Sequence, residues 1–193
     1  INSCAKMKIS IIIPAYNEEK RIGKTLEAYT GFFDNVGLDY EILVVINNTK
    51  DKTEDVVKAV QKRHSSVRYL NIKEKGKGNA ITTGFKDALR RKPDLVGFVD
   101  ADMATKPDSF YYLVTGLGSH DGAIANRYDP RSVIRPAFTF RRTIVAHVFN
   151  FLVRTLFFMP YRDTQCGAKI FKRKSIEAIL NDISITQWAY DID

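Results

Sequence analysis

The chain has 193 residues, 45% of them apolar and 27% charged, and a formal charge of +8 from 30 basic and 22 acidic side chains. That balance excludes a disordered or collagen-like chain and leaves length enough for one domain with a substantial core. Cys4 and Cys166 stand far apart, and His64, His120 and His147 form no local pattern, which excludes a disulfide framework or zinc site and suits reduced thiols. The basic excess fits an anionic partner such as a phosphate-bearing substrate or an anionic membrane surface, and it equally fits a solvated basic face.

In chain order, residues 1–6 read as a tail ahead of the first strand, a β-rich run over 7–14 ended by Pro14. Residues 18–33 carry Ile22, Leu26, Tyr29 and Phe33 at the spacing of one helix face. A second apolar strand follows at 40–46 and a helix at 53–64, with Val56, Val57 and Val60. Next come a strand at 67–72, a helix at 78–91 with Ile81, Phe85 and Leu89, a strand at 95–99 and a helix at 107–117. Residues 122–125 suit a short fifth strand. Strands alternating with helices predict a mostly parallel α/β sheet. Runs such as Ile9-Ser10-Ile11-Ile12-Ile13, apolar without alternation, predict that both faces are covered. No secretory signal is legible, and no apolar run reaches the ~18 residues of a membrane span.

Ligands of open α/β sheets bind beyond the carboxyl ends of the strands. Three polar segments lie there, 14–19, 46–52 and 100–106, and should converge on one cleft. Asp100-Ala101-Asp102 closes the fourth strand. On extended backbone residues two apart point the same way, so both carboxylates could reach one hard cation. The competing reading is a turn that caps the next helix. Pro14-Ala15-Tyr16-Asn17-Glu18-Glu19 suits Tyr16 and Glu18 for a nucleoside, or else a strand-to-helix turn with Asn17 as N-cap. Ile46-Asn47-Asn48-Thr49 can read a base edge or ribose hydroxyl, or build an Asx turn. Lys73-Glu74-Lys75-Gly76-Lys77-Gly78 opens a helix where glycines permit close approach to phosphate, or is a solvated loop.

Residues 138–159 are aromatic and basic, including Phe138, Phe140, Arg141, Arg142 and Arg154. They read as amphipathic helices packed on the sheet, as a membrane-surface contact, or as both on opposite faces. Asp163-Thr164-Gln165-Cys166-Gly167-Ala168-Lys169 and Gln187-Trp188-Ala189-Tyr190-Asp191 are polar clusters without a local structural reason. Asp191 in apolar company is a candidate base or hydroxyl acceptor.

Taken in order, these segments resemble the family-2 glycosyltransferases of GT-A fold, in the branch of the dolichyl-phosphate glucosyltransferases and other polyprenyl-phosphate sugar transferases. The resemblance rests on residues 13–19, on Lys75 to Ala80, on Asp100-Ala101-Asp102, on Asp163 to Gly167 with Lys169, and on Trp188-Ala189-Tyr190-Asp191. It implies a Rossmann-like, mostly parallel sheet with helices on both faces, a catalytic domain over 7–193, and further structure beyond a chain cut short at its C-terminus.

The resemblance also implies roles. Pro14, Ala15, Tyr16, Glu18, Asn47, Lys77 and Asp100 would bind the nucleotide. Asp100 and Asp102 would hold Mg²⁺ or Mn²⁺, and Asp102 and Asp191 would serve catalysis. Arg127, Arg141 and Arg142 would hold an acceptor phosphate, and Gln165 and Trp188 would line the sugar site. Where the family usually has two aspartates and a glycine, this chain has Ile46-Asn47-Asn48, so an uncharged amide falls at the base-reading position.

The implied activity is inverting, metal-dependent transfer of a hexose, glucose favoured, from UDP-glucose to dolichyl or polyprenyl phosphate at the cytoplasmic face of a membrane. Alternatives are a polysaccharide or other soluble acceptor, or a non-catalytic nucleotide-sugar-binding module. Acidic residues in the cleft argue against a nucleic-acid partner.

Overall fold

The computed structural model describes residues 7–126, 155, 163 and 166–180. Its elements run β1 (Lys8–Ala15), α1 (Ile22–Val36), β2 (Asp39–Asn47), α2 (Thr53–Gln61), β3 (Val67–Ile72), α3 (Lys77–Leu89), β4 (Leu95–Val99), α4 (Pro107–Gly116), β5 (Gly122–Ile124), β6 (Ala168–Lys172) and α5 (Arg173–Ile179). The sheet order is β3-β2-β1-β4-β6-β5. The β1–β2, β2–β3 and β1–β4 ladders are parallel, whereas β6 runs antiparallel to both β4 and β5. The mostly parallel α/β reading therefore holds.

β6 and α5 were not foreseen. Ala168–Lys172 begins in the last two residues of the 163–169 polar cluster, yet it inserts between β4 and β5 with Val99 opposite Ala168 and Phe98 opposite Lys169. Elsewhere the differences are at element ends. α1 starts at Ile22 rather than 18, because residues 16–21 are held as a loop. α2 stops at Gln61, and α3 runs Lys77–Leu89.

Helices cover both faces of the sheet, as the unalternating strands require. On one face Ile9, Ile11, Ile13, Ile42 and Val44 meet Leu26, Tyr29 and Phe33 of α1, Val57 and Val60 of α2, and Phe110 and Val114 of α4. On the other, Ile12, Leu43, Val45, Val96 and Phe98 meet Ala80, Ile81 and Phe85 of α3 and Ile176 of α5. Each such large side chain, fully buried, contributes about 1.5–3 kcal/mol. Among the described residues no helix is long and apolar enough to cross a membrane.

One polar cluster lies inside the α3 layer. Ser10 and Glu41 are 0% and 6% exposed. The Ser10 hydroxyl donates to Glu41 Oε1 at 2.5 Å, and Arg91 Nε donates to Glu41 Oε2 at 2.6 Å. Arg91 Nη1 reaches Asp87 at 2.6 Å. Desolvation opposes the Arg91 charge, but Glu41 and Asp87 outweigh it and raise its pKa above the ordinary value. A buried carboxylate is tolerated when paired in this way.

Candidate active site

Strand order reverses around β1, with β2 on one side and β4 on the other, which is the topological switch point where α/β sheets bind ligands. The β1–β4 ladder ends at Ile12 opposite Phe98. Pro14, which cannot donate to a ladder, falls beyond that last pair, where the two strands part. The three polar segments leave the neighbouring ends of β2, β1 and β4, so they converge on one rim as expected.

Two of these segments are laced together. The N–H groups of Asn17, Glu18 and Glu19 donate to Thr49 Oγ1 (3.1 Å), Thr53 Oγ1 (2.8 Å) and Asp51 Oδ2 (3.1 Å). In return the N–H groups of Lys50 and Lys52 donate to Asn17 Oδ1 (3.0 Å) and Glu19 Oε2 (3.1 Å). Asn17 is thus no helix cap. It sits at φ 55°, and the residue preceding α1 is Arg21, without a side-chain cap. Burial acts to raise the Asp51 pKa, but hydrogen bonds from the Thr53 hydroxyl and the Glu19 and Thr53 amides prevail and hold it below the usual carboxylate range. Tyr16 projects from this lacing, 52% exposed at the mouth of the cleft, while Ala15 is buried beneath it.

Asp100-Ala101-Asp102 forms a turn rather than an extended segment, so the expected two-residue alternation does not apply. Nor does it cap the next helix: the residue before α4 is Lys106, and Asp102 Oδ1 instead accepts the Ala104 N–H at 2.9 Å. Both side chains are partly open, 34% exposed for Asp100 and 40% for Asp102. Asp100 Oδ1 takes an ion pair from Lys77 Nζ at 2.6 Å. Asp102 Oδ2 lies 4.0 Å from Arg21 Nη1, and the same guanidinium clamps Glu18 through Nε (2.7 Å) and Nη2 (2.6 Å). The Glu18 hydrogen bond raises the Arg21 pKa against a smaller desolvation effect, and the charges of Glu18 and Asp102 add to the rise.

The turn is fixed from behind by α1. Thr25 Oγ1 donates to the Ala101 carbonyl at 2.7 Å and Tyr29 Oη to the Thr105 carbonyl at 2.9 Å. Desolvation, helped by Asp108 and Asp100, pushes the Tyr29 phenol far above its ordinary pKa, so it stays a donor. At the entry to β6, Gly167 leaves room for Asp100: a Cβ there would stand 1.8 Å from Asp100 Oδ2.

On the far side of β2, Asn47 is 6% exposed and its Nδ2 faces the Gly76 carbonyl at 3.5 Å. Gly76 precedes α3 at φ 106°, a conformation open to glycine. Lys73 and Lys75 are exposed, as a solvated loop requires, and Lys77 alone of the three turns in toward the carboxylates. Cys166 is a buried thiol and not part of a disulfide.

Sequence reasoning missed Arg21, Thr25, Tyr29 and Gly167 as parts of this site. Thr25, a polar residue on the core-facing side of α1, was the available signal. Arg127, Arg141, Arg142, Gln165, Trp188 and Asp191 lie outside the described residues, as does 138–159 apart from Thr155.

Among the described residues no three acidic, histidine or cysteine side chains gather to hold a metal ion. Two half-exposed carboxylates on one turn still fit a hard cation that completes its shell with water and phosphate oxygens, as Mg²⁺ commonly does. They do not fit an all-protein cage.

A six-stranded, mostly parallel sheet with helices on both faces, its cleft at the β1/β4 switch, is the GT-A fold of glycosyltransferases. Residues 10–180 match glycosyl transferase family 2, and the chain belongs to that family. It is 33% identical to the dolichyl-phosphate beta-glucosyltransferase of Drosophila melanogaster over 97% of its own length, and 30% identical to that of Homo sapiens over 96%. The chain spans 61% of each of those relatives. Among solved structures it is similar to glucosyl-3-phosphoglycerate synthase from Mycobacterium tuberculosis, crystallised with Mn²⁺, UDP and phosphoglyceric acid. The TM-score is 0.63 at 22% identity, covering 88% of this chain and 57% of that one. It is also similar to S. aureus TarS, with TM-score 0.61 at 22% identity, covering 96% and 53%.

Proposed function

We propose that the protein transfers glucose, with inversion, from UDP-glucose to dolichyl or polyprenyl phosphate, using Mg²⁺ or Mn²⁺, at the cytoplasmic face of a membrane. The observation that carries the reading is the pairing of Asp100 and Asp102 on one turn at the switch point, with Lys77 and Arg21 beside them. The names of the relatives favour glucose and dolichyl phosphate, and the basic excess of the chain suits an anionic surface.

Tyr16, on the exposed rim, would cover the nucleoside, with Asn47 offering amide hydrogen bonds to the base and Glu18 bordering the ribose. Asp100 and Asp102 would hold the divalent ion, which neutralises charge on the leaving diphosphate when bound. An oxygen of the acceptor phosphate attacks the anomeric carbon as the bond from that carbon to the diphosphate oxygen breaks, and UDP leaves. That oxygen is already anionic at neutral pH, so no strong base is required of the protein. By the resemblance, Arg127, Arg141 and Arg142 would orient the acceptor phosphate, and Gln165, Trp188 and Asp191 the sugar.

The test is transfer of radiolabelled glucose from UDP-glucose to dolichyl phosphate, with and without chelator, by wild type and Asp102→Ala. Lipid-linked product should form only in wild type with metal present. Turnover by Asp102→Ala with unchanged metal dependence would overturn the reading. Equal labelling of an acceptor stripped of its lipid would replace dolichyl phosphate by a soluble acceptor.

A further inference from the structure

Among the described residues at the rim of the cleft, Glu18, Asp100 and Asp102 are linked by ion pairs to Arg21 and Lys77. Each of the paired carboxylates has a cation of its own: Lys77 on Asp100 at 2.6 Å, and Arg21, anchored on Glu18, 4.0 Å from Asp102. A divalent ion taken up by Asp100 and Asp102 would stand against an ammonium and a guanidinium, and like charges at such range repel. Both basic side chains can leave without disturbing the core, since Arg21 is 56% and Lys77 39% exposed.

We propose that Arg21 and Lys77 are exchangeable counter-ions. They neutralise the metal carboxylates before substrate arrives and pass to the diphosphate when a divalent ion takes their place. The charge balance gives the reason. The metal brings two positive charges and the diphosphate of a nucleotide sugar two negative ones, so the rim keeps its net charge only when both arrive together. Metal alone takes Asp100 from Lys77 and sets its own charge against Arg21, which stays held on Glu18. Nucleotide alone meets basic groups already engaged. The exchange therefore makes binding of the two ligands cooperative, a coupling that is reciprocal by linkage. It adds Arg21 to the residues that position substrate and gives Lys77 a second role. The inference rests on the reading that Asp100 and Asp102 take the metal.

The experiment measures Mn²⁺ binding by electron paramagnetic resonance on wild type, Arg21→Gln, Lys77→Gln and Asp102→Ala, each with and without UDP. In wild type, UDP should tighten Mn²⁺ binding by about tenfold or more. Each Gln variant should strengthen Mn²⁺ binding without UDP by about two- to fivefold, the scale of one exposed ion pair, and shrink the gain from UDP. Arg21→Lys and Lys77→Arg, which keep the charge, should restore wild-type behaviour and so separate charge from folding.

Unchanged or weaker Mn²⁺ binding by the Gln variants, with the UDP gain intact, would overturn the exchange while leaving the metal site in place. Mn²⁺ binding that Asp102→Ala does not weaken would instead overturn the site itself, and the exchange with it.

Discussion

Two clusters of charge are joined by one helix, and burial separates what they do. At the N-terminus of α3, Lys77 pairs with Asp100 in the open cleft, both more than a third exposed. Beyond its C-terminus, Arg91 pairs with Glu41 and Asp87 under the sheet, with the side chains of Glu41 only 8% and Arg91 20% exposed. The distances are alike, 2.6 Å in each case. What differs is the alternative open to each partner. Glu41 is buried and Arg91 is largely so, and Glu41 stripped of its partner would be a carboxylate held away from water, so their pairing is structural. Asp100 and Lys77 do, so theirs can be traded for another ion.

The sharpest way to break this contrast is Glu41→Ala. It removes one of the two carboxylates paired with Arg91 and the acceptor of the Ser10 hydroxyl, and should cost about 1–3 kcal/mol, read as a lower urea midpoint, while transfer per folded molecule stays as in wild type. Lys77→Gln should behave in the opposite way, keeping the midpoint and losing nucleotide affinity. Gly167→Ala comes next. Its Cβ would overlap Asp100 Oδ2, so the carboxylate must move. A stability loss of about 1–3 kcal/mol is expected, together with weaker Mn²⁺ binding in the presence of UDP, measured by denaturation and paramagnetic resonance.

Thr25→Val removes the buried donor to the Ala101 carbonyl and keeps the shape; about 1–2 kcal/mol should be lost, and amide exchange should quicken through residues 101–105. The smallest effect belongs to Glu27, 44% exposed, whose pKa the Arg63 hydrogen bond lowers. A carboxyl depressed in the folded state adds stability above its unfolded pKa, near 4.5, and that stability fades as the pH falls through the folded value. Glu27→Gln should therefore lower the unfolding free energy from urea titration by less than about 1 kcal/mol at pH 7 and leave it unchanged at pH 2.

The sequence carried the parallel core plainly, because β1, β2 and β4 are mainly apolar without regular alternation, Ser10 and Glu41 apart, and their helices keep one-face spacing. The placement of Asp100 and Asp102 after β4 was legible for the same reason. β6 was not. Its five residues include Lys169 and Lys172, with polar neighbours before and after, and its partner β4 lies some seventy residues earlier, so nothing local announces the pairing. Asn17 was misread as a helix cap because its true partner, the Lys50 amide, belongs to another loop. Arg21 was overlooked for a related reason. Next to Glu18 it resembles an ordinary solvated pair, and only the fold brings Asp102 within its reach.

α1 begins just after the laced loops that lead out of β1, and its Thr25 and Tyr29 grip the backbone inside the acidic turn after β4, at Ala101, and beyond it, at Thr105. One rigid rod therefore supports both lips of the cleft. Any rocking of α1 against the sheet would carry the nucleoside lip and the acidic lip in concert, so that a force applied to its outer surface would be felt at both lips of the site at once.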